Sequence, residues 1–219
     1  MNKVNNLISI VVPVYNESES IKLLISEICN VMESYKQKFE LIVVNDGSID
    51  NTSLILEKLS LQFKSLIVIN LRKNYGQTAA LAAGFDSSNG EIIVTLDGDL
   101  QNDPNDIPKL ITNIKDGYDL ICGWRFQRKD KLLNRRIPSK IANQLIGNVT
   151  GIHLHDYGCS LKAFKSEIVN DIKLYGELHR FLPVLANIEG AKIKEIKVNH
   201  RSRKYGQSKY GIDRTFRVL

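Results

Sequence analysis

The chain has 219 residues, 43% of them hydrophobic, and a net charge of +6. That is enough apolar material for one sizeable core. Three widely spaced cysteines, Cys29, Cys122 and Cys159, argue against a disulfide framework and for a reducing compartment. No basic-then-apolar leader is evident, and no run approaches the ~18 apolar residues of a membrane span. The charge is uneven. Arg125 to Lys140 carries seven basic residues against Asp130 alone, and Lys192 to Arg214 carries eight against Glu195 and Asp213. A basic face confined to the second half points to a polyanionic partner: nucleic acid, anionic lipid or a phosphorylated substrate.

In chain order, Leu7 to Val14 is a β-rich apolar run, followed by the loop Tyr15-Asn16-Glu17-Ser18. Ile21, Leu24, Ile25, Ile28, Val31, Met32 and Tyr35 then recur at helical spacing. Glu40 to Asn45 is a second strand, ending in the turn Asp46-Gly47-Ser48-Ile49-Asp50, which is expected to cap the next helix. Leu66 to Leu71 is a third strand, and the small residues of Gly76 to Ser88 predict a helix packed closely on the sheet. Strands alternating with helices predict a parallel sheet with right-handed crossovers.

Glu91 to Leu96 is a buried-strand pattern that ends in Asp97-Gly98-Asp99-Leu100-Gln101. Two carboxylates and an amide oxygen at alternate positions suit a hard divalent ion, Mg²⁺ or Mn²⁺, although Asp-Gly-Asp is also ordinary turn chemistry. Asp103-Pro104 reads as a helix start, with Ile107, Leu110, Ile111 and Ile114 on its apolar face. Tyr118 to Gly123 is a further strand that delivers Trp124 and Arg125.

Ligands of open α/β sheets sit beyond the carboxyl ends of the strands. That rule gathers Pro13, Tyr15 and Glu17, then Asn45 and Asp46, then Arg72 to Gly76, then Asp97 and Asp99, on one rim. Tyr15 is suited to pack on a base and Asp46 to accept from a base N–H. Taken singly, Glu17 reads as a helix-start charge and Asp46 as a turn residue. No G-x-G-x-x-G follows the first strand, which disfavours a dinucleotide-binding domain.

The pattern then changes. Arg125 to Arg136 is basic and loop-like, and Pro138 opens a helix with an apolar stripe of Ile141, Ala142, Leu145, Ile146 and Val149. Such a stripe beside basic residues fits a membrane surface, or an ordinary helix on the core. His153 and His155 lack a second ligand cluster and do not read as zinc. Ser160 to Lys165 is read as a strand, Leu178 to Ile188 as a helix and Lys192 to His200 as a half-exposed strand. The segment Arg201 to Gly211 follows as a basic loop on Gly206 and Gly211, either a phosphate-closing flap or a disordered tail. With no repeat and no linker, residues 1–219 read as one domain.

Several motifs resemble the GT-A-fold inverting glycosyltransferases of the polyprenyl-phosphate type, similar to dolichol-phosphate mannose synthase. They are Val11-Val12-Pro13-Val14-Tyr15-Asn16-Glu17, Asn45-Asp46-Gly47-Ser48, Arg72 to Gln77, Asp97 to Gln101, Gly123-Trp124-Arg125, Asp156-Tyr157-Gly158-Cys159 and Ser208-Lys209-Tyr210-Gly211. The resemblance implies a single Rossmann-like α/β catalytic domain with a mostly parallel sheet flanked by helices. It implies a metal-dependent hexosyltransferase that moves a sugar from a UDP- or GDP-linked donor to undecaprenyl or dolichyl phosphate. It places the protein at the cytoplasmic membrane face, peripheral as given, or integral if the parent chain continues into transmembrane helices.

By the same resemblance Pro13, Tyr15, Glu17, Asp46 and Asp97 hold the nucleotide, while Asp97, Asp99 and Gln101 hold Mg²⁺ or Mn²⁺. Arg125, Arg135 or Arg136, Arg203, Ser208 and Lys209 bind the phosphates of acceptor and donor. Asp99, Arg125, Asp156 and Arg203 are the expected catalytic set, with Asp156 orienting. Asn45 departs from the family, where many members have Asp. Two other readings are a glycosyltransferase for a hydroxyl acceptor, with Asp156 as base, and a non-catalytic nucleic-acid-binding protein. The second is opposed by the acidic rim and by the lack of interleaved aromatics in the basic segments.

Overall fold

Among the described residues, seven strands form one sheet in the order β3-β2-β1-β4-β6-β5-β7. They are β1 (Val4–Val14), β2 (Lys38–Asn45), β3 (Leu66–Asn70), β4 (Gly90–Thr95), β5 (Leu120–Arg125), β6 (Lys162–Lys165) and β7 (Ile193–Val198). The computed structural model describes residues 4–126, 146–148 and 150–205. β1 pairs in parallel with β2 and β4, β2 with β3, and β5 with β7. The basic loop from Arg128, the apolar stripe apart from Ile146, and the segment from Gly206 onward lie outside the described residues.

The strand alternation sets the two cores. Ile8, Ile10, Val12 and Val14 of β1 face the layer made by α1 (Ile21–Tyr35), α2 (Thr52–Ser60) and α4 (Ile107–Lys115). Val11 faces the opposite layer with α3 (Gln77–Asp86), α5 (Ser166–Asp171) and α6 (Leu182–Ile188). Small residues let α3 lie close: a side chain added at Gly84 would collide with the Val11 side chain. All three cysteines are buried free thiols, and burial pushes Cys122 up to about 12 and Cys159 up to about 11.

Three sequence expectations change. β6 runs antiparallel to both β4 and β5. β5 ends at the rim and β6 starts from it, so the chain returns beside the strand it has just left. The helix expected over Leu178 to Ile188 divides into a 3₁₀ turn (Leu178–Phe181) and α6. Pro183 lies in the first turn of α6; it has no N–H to continue a helix from Leu178, but it suits a fresh start. Asp103 caps a 3₁₀ turn over Pro104–Asp106, accepting from Asn105 N at 3.1 Å, before α4 begins.

Candidate active site

The parallel strands bring their carboxyl ends to one rim, and side-chain hydrogen bonds lock the loops there. Asn16 N donates to Ser48 Oγ at 2.9 Å, Ile49 N to Asn16 Oδ1 at 2.8 Å, and Glu17 N to Thr52 Oγ1 at 2.9 Å. The loop carrying Tyr15 and Glu17 is thereby tied to the loop after β2. Asn45 is buried at the end of β2, where its amide donates to Asn70 Oδ1 at 2.9 Å and its oxygen accepts from Ser48 N at 3.1 Å.

Asp46 is also buried, and its two carboxylate oxygens accept from the backbone N–H groups of Tyr75 and Gly76, at 2.7 and 2.9 Å. It thus fixes the loop between β3 and α3. Gly47, at φ +66°, backs onto the same loop, and a Cβ there would lie 2.6 Å from Asn74 N. Gly47→Ala is therefore expected to push this loop outward with the fold retained, seen as faster proteolytic cleavage after Arg72 or Lys73 and an unchanged far-UV spectrum.

The acidic loop after β4 is held from the far side of the sheet. Beyond β7 the chain runs antiparallel to it: Asn102 bridges His200, Arg201 N donates to Gln101 O at 2.9 Å, and Asn199 N to Asp106 Oδ2 at 2.7 Å. The Arg201 guanidinium pairs with Glu27 and Asp103 at 2.6 and 2.8 Å. This track carries Arg203 over Asp99, with Nη2 2.5 Å from Asp99 Oδ2 and 3.4 Å from Gln101 Oε1. Between these acceptors, Leu100 has φ +63°, a conformation that costs a branched residue about 1–2 kcal/mol and marks a strained turn. Gln77, to which the sequence reading gave no role, donates to Asp97 Oδ1 at 2.7 Å.

Two clefts of about 260 Å³ each share the wall formed by Pro13, Gln77, Asp97, Asp99 and Arg203. The first adds Tyr15, Glu17, Asp46 and Asn74. The second adds Gln101, Arg125, the Tyr157–Ser160 loop, Lys162 and Arg180. Asp156 stands behind Arg125: Nε donates to Oδ2 at 2.6 Å and Nη2 to Oδ1 at 2.8 Å. Glu195 in turn accepts from the backbone N–H groups of His155 and Asp156, at 3.1 and 2.9 Å. Of the expected site residues, Arg135, Arg136, Ser208 and Lys209 lie outside the described residues.

Burial, then the nearby Asp97 charge, push the Asp99 carboxyl up to about 6, although Arg203 pulls the other way. Among the described residues no group of three or more His, Cys, Asp or Glu side chains is arranged for a metal. The candidate set is instead two carboxylates and the Gln101 amide oxygen, hard donors of the kind a divalent cation takes.

A doubly flanked, mostly parallel sheet with an acidic loop at its rim defines a GT-A-type fold. A solved structure of glucosyl-3-phosphoglycerate synthase from Mycobacterium tuberculosis, in complex with Mn²⁺ and UDP-glucose, superposes with a TM-score of 0.73 at 18% identity, over 96% of this chain and 74% of that one. The family model for glycosyl transferase family 2 matches residues 9–173, and the chain belongs to that family. It is 47% identical to a dodecaprenyl-phosphate galacturonate synthase of Rhizobium johnstonii over 97% of this chain and 64% of that protein. It is 38% identical to an undecaprenyl-phosphate 4-deoxy-4-formamido-L-arabinose transferase of Aeromonas hydrophila, over 94% and 63%. The chain thus spans a little under two thirds of the length of these curated relatives.

Proposed function

We propose that the protein transfers a sugar from a nucleoside diphosphate sugar to a polyprenyl phosphate, with inversion at the anomeric carbon. The observation that carries this reading is the Arg125–Asp156 pair. A hydroxyl acceptor needs a base, and Asp156 is the candidate, but both its oxygens accept from one guanidinium. A phosphate monoester is already anionic at neutral pH and needs no base. The names of the two relatives support the acceptor class and differ in the sugar.

In this reading the first cleft takes the nucleoside, with Tyr15 and Glu17 at its side and Asp46 holding the loop that covers it. Asp97, Asp99 and Gln101 hold Mg²⁺ or Mn²⁺, which when bound neutralises charge on the leaving diphosphate. Arg203 faces the same phosphates. Arg125, oriented by Asp156, holds the acceptor phosphate beside the anomeric carbon. A phosphate oxygen forms the new bond to that carbon as the bond to the diphosphate breaks, and the diphosphate leaves with the electron pair.

Among the described residues no helix is long and apolar enough to cross a membrane. The proposed place of action is the cytoplasmic membrane face, where a polyprenyl phosphate presents its head group. The test is incubation with UDP- and GDP-sugars, Mn²⁺ and a short polyprenyl phosphate, followed by mass spectrometry. A glycosyl-phosphate lipid from at least one donor is expected; none from any donor would contradict the proposal.

A further inference from the structure

The inner end of the second cleft is cationic, and the transfer reaction as described does not use that charge. Lys162 opens β6 and is only 3% exposed, in register with Thr95 of β4 and Cys122 of β5. Its ammonium donates to the backbone carbonyls of Tyr157 and Cys159 and, among the described residues, forms no ion pair with a carboxylate. Carbonyl dipoles satisfy two of its three N–H groups without cancelling the charge, and an uncompensated buried ammonium is costly. Arg180 lines the same cleft. It sits on the 3₁₀ turn that His179 pins to α3 through a 2.7 Å hydrogen bond with Thr78.

Thr95 lies two residues before Asp97, so the backbone of Lys162 stands about 6.6 Å along the strand from the acidic loop, at ~3.3 Å per residue. A donor with its diphosphate at Asp97 and Asp99 and its sugar in the second cleft would place that sugar beside Lys162 and Arg180.

We propose that the transferred sugar bears a carboxylate, seated between Lys162 and Arg180 at the inner end of the cleft. This rests on the reading of the site as a nucleotide-sugar site. A neutral sugar would leave the Lys162 charge unanswered, whereas a uronic acid supplies the counter-ion and accepts charge-assisted hydrogen bonds. The same cations could instead serve the acceptor's phosphate, so the test separates the two sources.

Calorimetry with Mn²⁺ first compares UDP with GDP. The preferred base then selects a pair differing only at C6: UDP-glucuronate against UDP-glucose, or GDP-mannuronate against GDP-mannose. The acid is expected to bind about tenfold more tightly or better, the scale of a hydrogen bond to a charged group. Arg180→Gln and Lys162→Met are each expected to remove most of that preference and to leave binding of the bare diphosphate unchanged. Arg180 lies on a partly exposed turn, so its variant keeps the test decisive if Lys162→Met fails to fold. Equal binding of acid and neutral sugar, with the diphosphate still bound, would overturn this proposal alone. Binding of neither UDP nor GDP would overturn it together with the site reading. An Arg180→Gln variant that keeps the acid preference but loses affinity for a short prenyl phosphate would reassign these cations to the acceptor.

Discussion

Replacing Asp99 by Asn is expected to lower transfer by about 10²–10³-fold or more, the scale of losing a charge-stabilising group in an active site. The substitution keeps the shape and one acceptor oxygen and removes the charge needed to hold a divalent ion beside a diphosphate. Nucleoside diphosphate binding in Mn²⁺ should weaken, while binding without metal should change little. Stability should move the other way. Burial and Asp97 already hold the Asp99 carboxyl near 6, so the fold disfavours its charge at neutral pH even beside Arg203. In metal-free buffer at pH 7 the variant should melt no lower than the parent, as expected where function is maintained against stability. Wild-type turnover with unchanged metal dependence would refute the assignment of Asp99.

Arg203→Ala is expected to lose about 100-fold or more in transfer. Arg203 is set over Asp99 by a track that does not depend on its own side chain: Arg201 anchors to Glu27 and Asp103, and the backbone bond from Arg201 N to Gln101 O remains. The fold and the acidic loop should therefore survive the substitution. Arg203→Lys should recover part of the loss, since an ammonium restores the charge but not the paired donors of a guanidinium. Steady-state kinetics on the three proteins would check this; activity of Arg203→Ala within twofold of the parent would exclude a role for this residue in phosphate binding.

The rim was legible in the sequence because strand ends and turn chemistry are local signals. The apolar runs ending at Val14, Asn45 and Leu96 located three strands, and the rule that ligands lie beyond their carboxyl ends brought Pro13, Asp46 and Asp97 together. Direction and pairing were less legible. Nothing in Lys162 to Lys165 states that this strand inserts between β4 and β5 and runs against both. That follows from long-range pairing, which local periodicity does not encode.

The missed site residues have the same origin. Lys162 interrupts an apolar run, and a lysine between Leu161 and Ala163 was a usable sign of a buried charge. Arg180 and His179 looked like the polar side of a helix, and only the break before Leu182 turns them toward the cleft. For Asp46, an expected nucleotide-binding residue, the sequence does not show that its carboxylate accepts from the backbone of Tyr75 and Gly76. Its partners lie 29 and 30 residues away. Gln77 lay inside a recognised motif, but its role depends on a bond to Asp97 across 20 residues.

In the proposed reaction the acceptor arrives already anionic, so that Asp156 orients Arg125 and removes no proton. The most direct measurement offers the protein, with its preferred donor and Mn²⁺, a short polyprenyl phosphate and the matching polyprenyl alcohol in parallel, and follows release of nucleoside diphosphate and formation of the glycolipid. Glycosyl-phosphate product is expected from the phosphate and none from the alcohol. Glycosylation of the alcohol at a comparable rate, abolished by Asp156→Asn, would contradict this and make Asp156 the base.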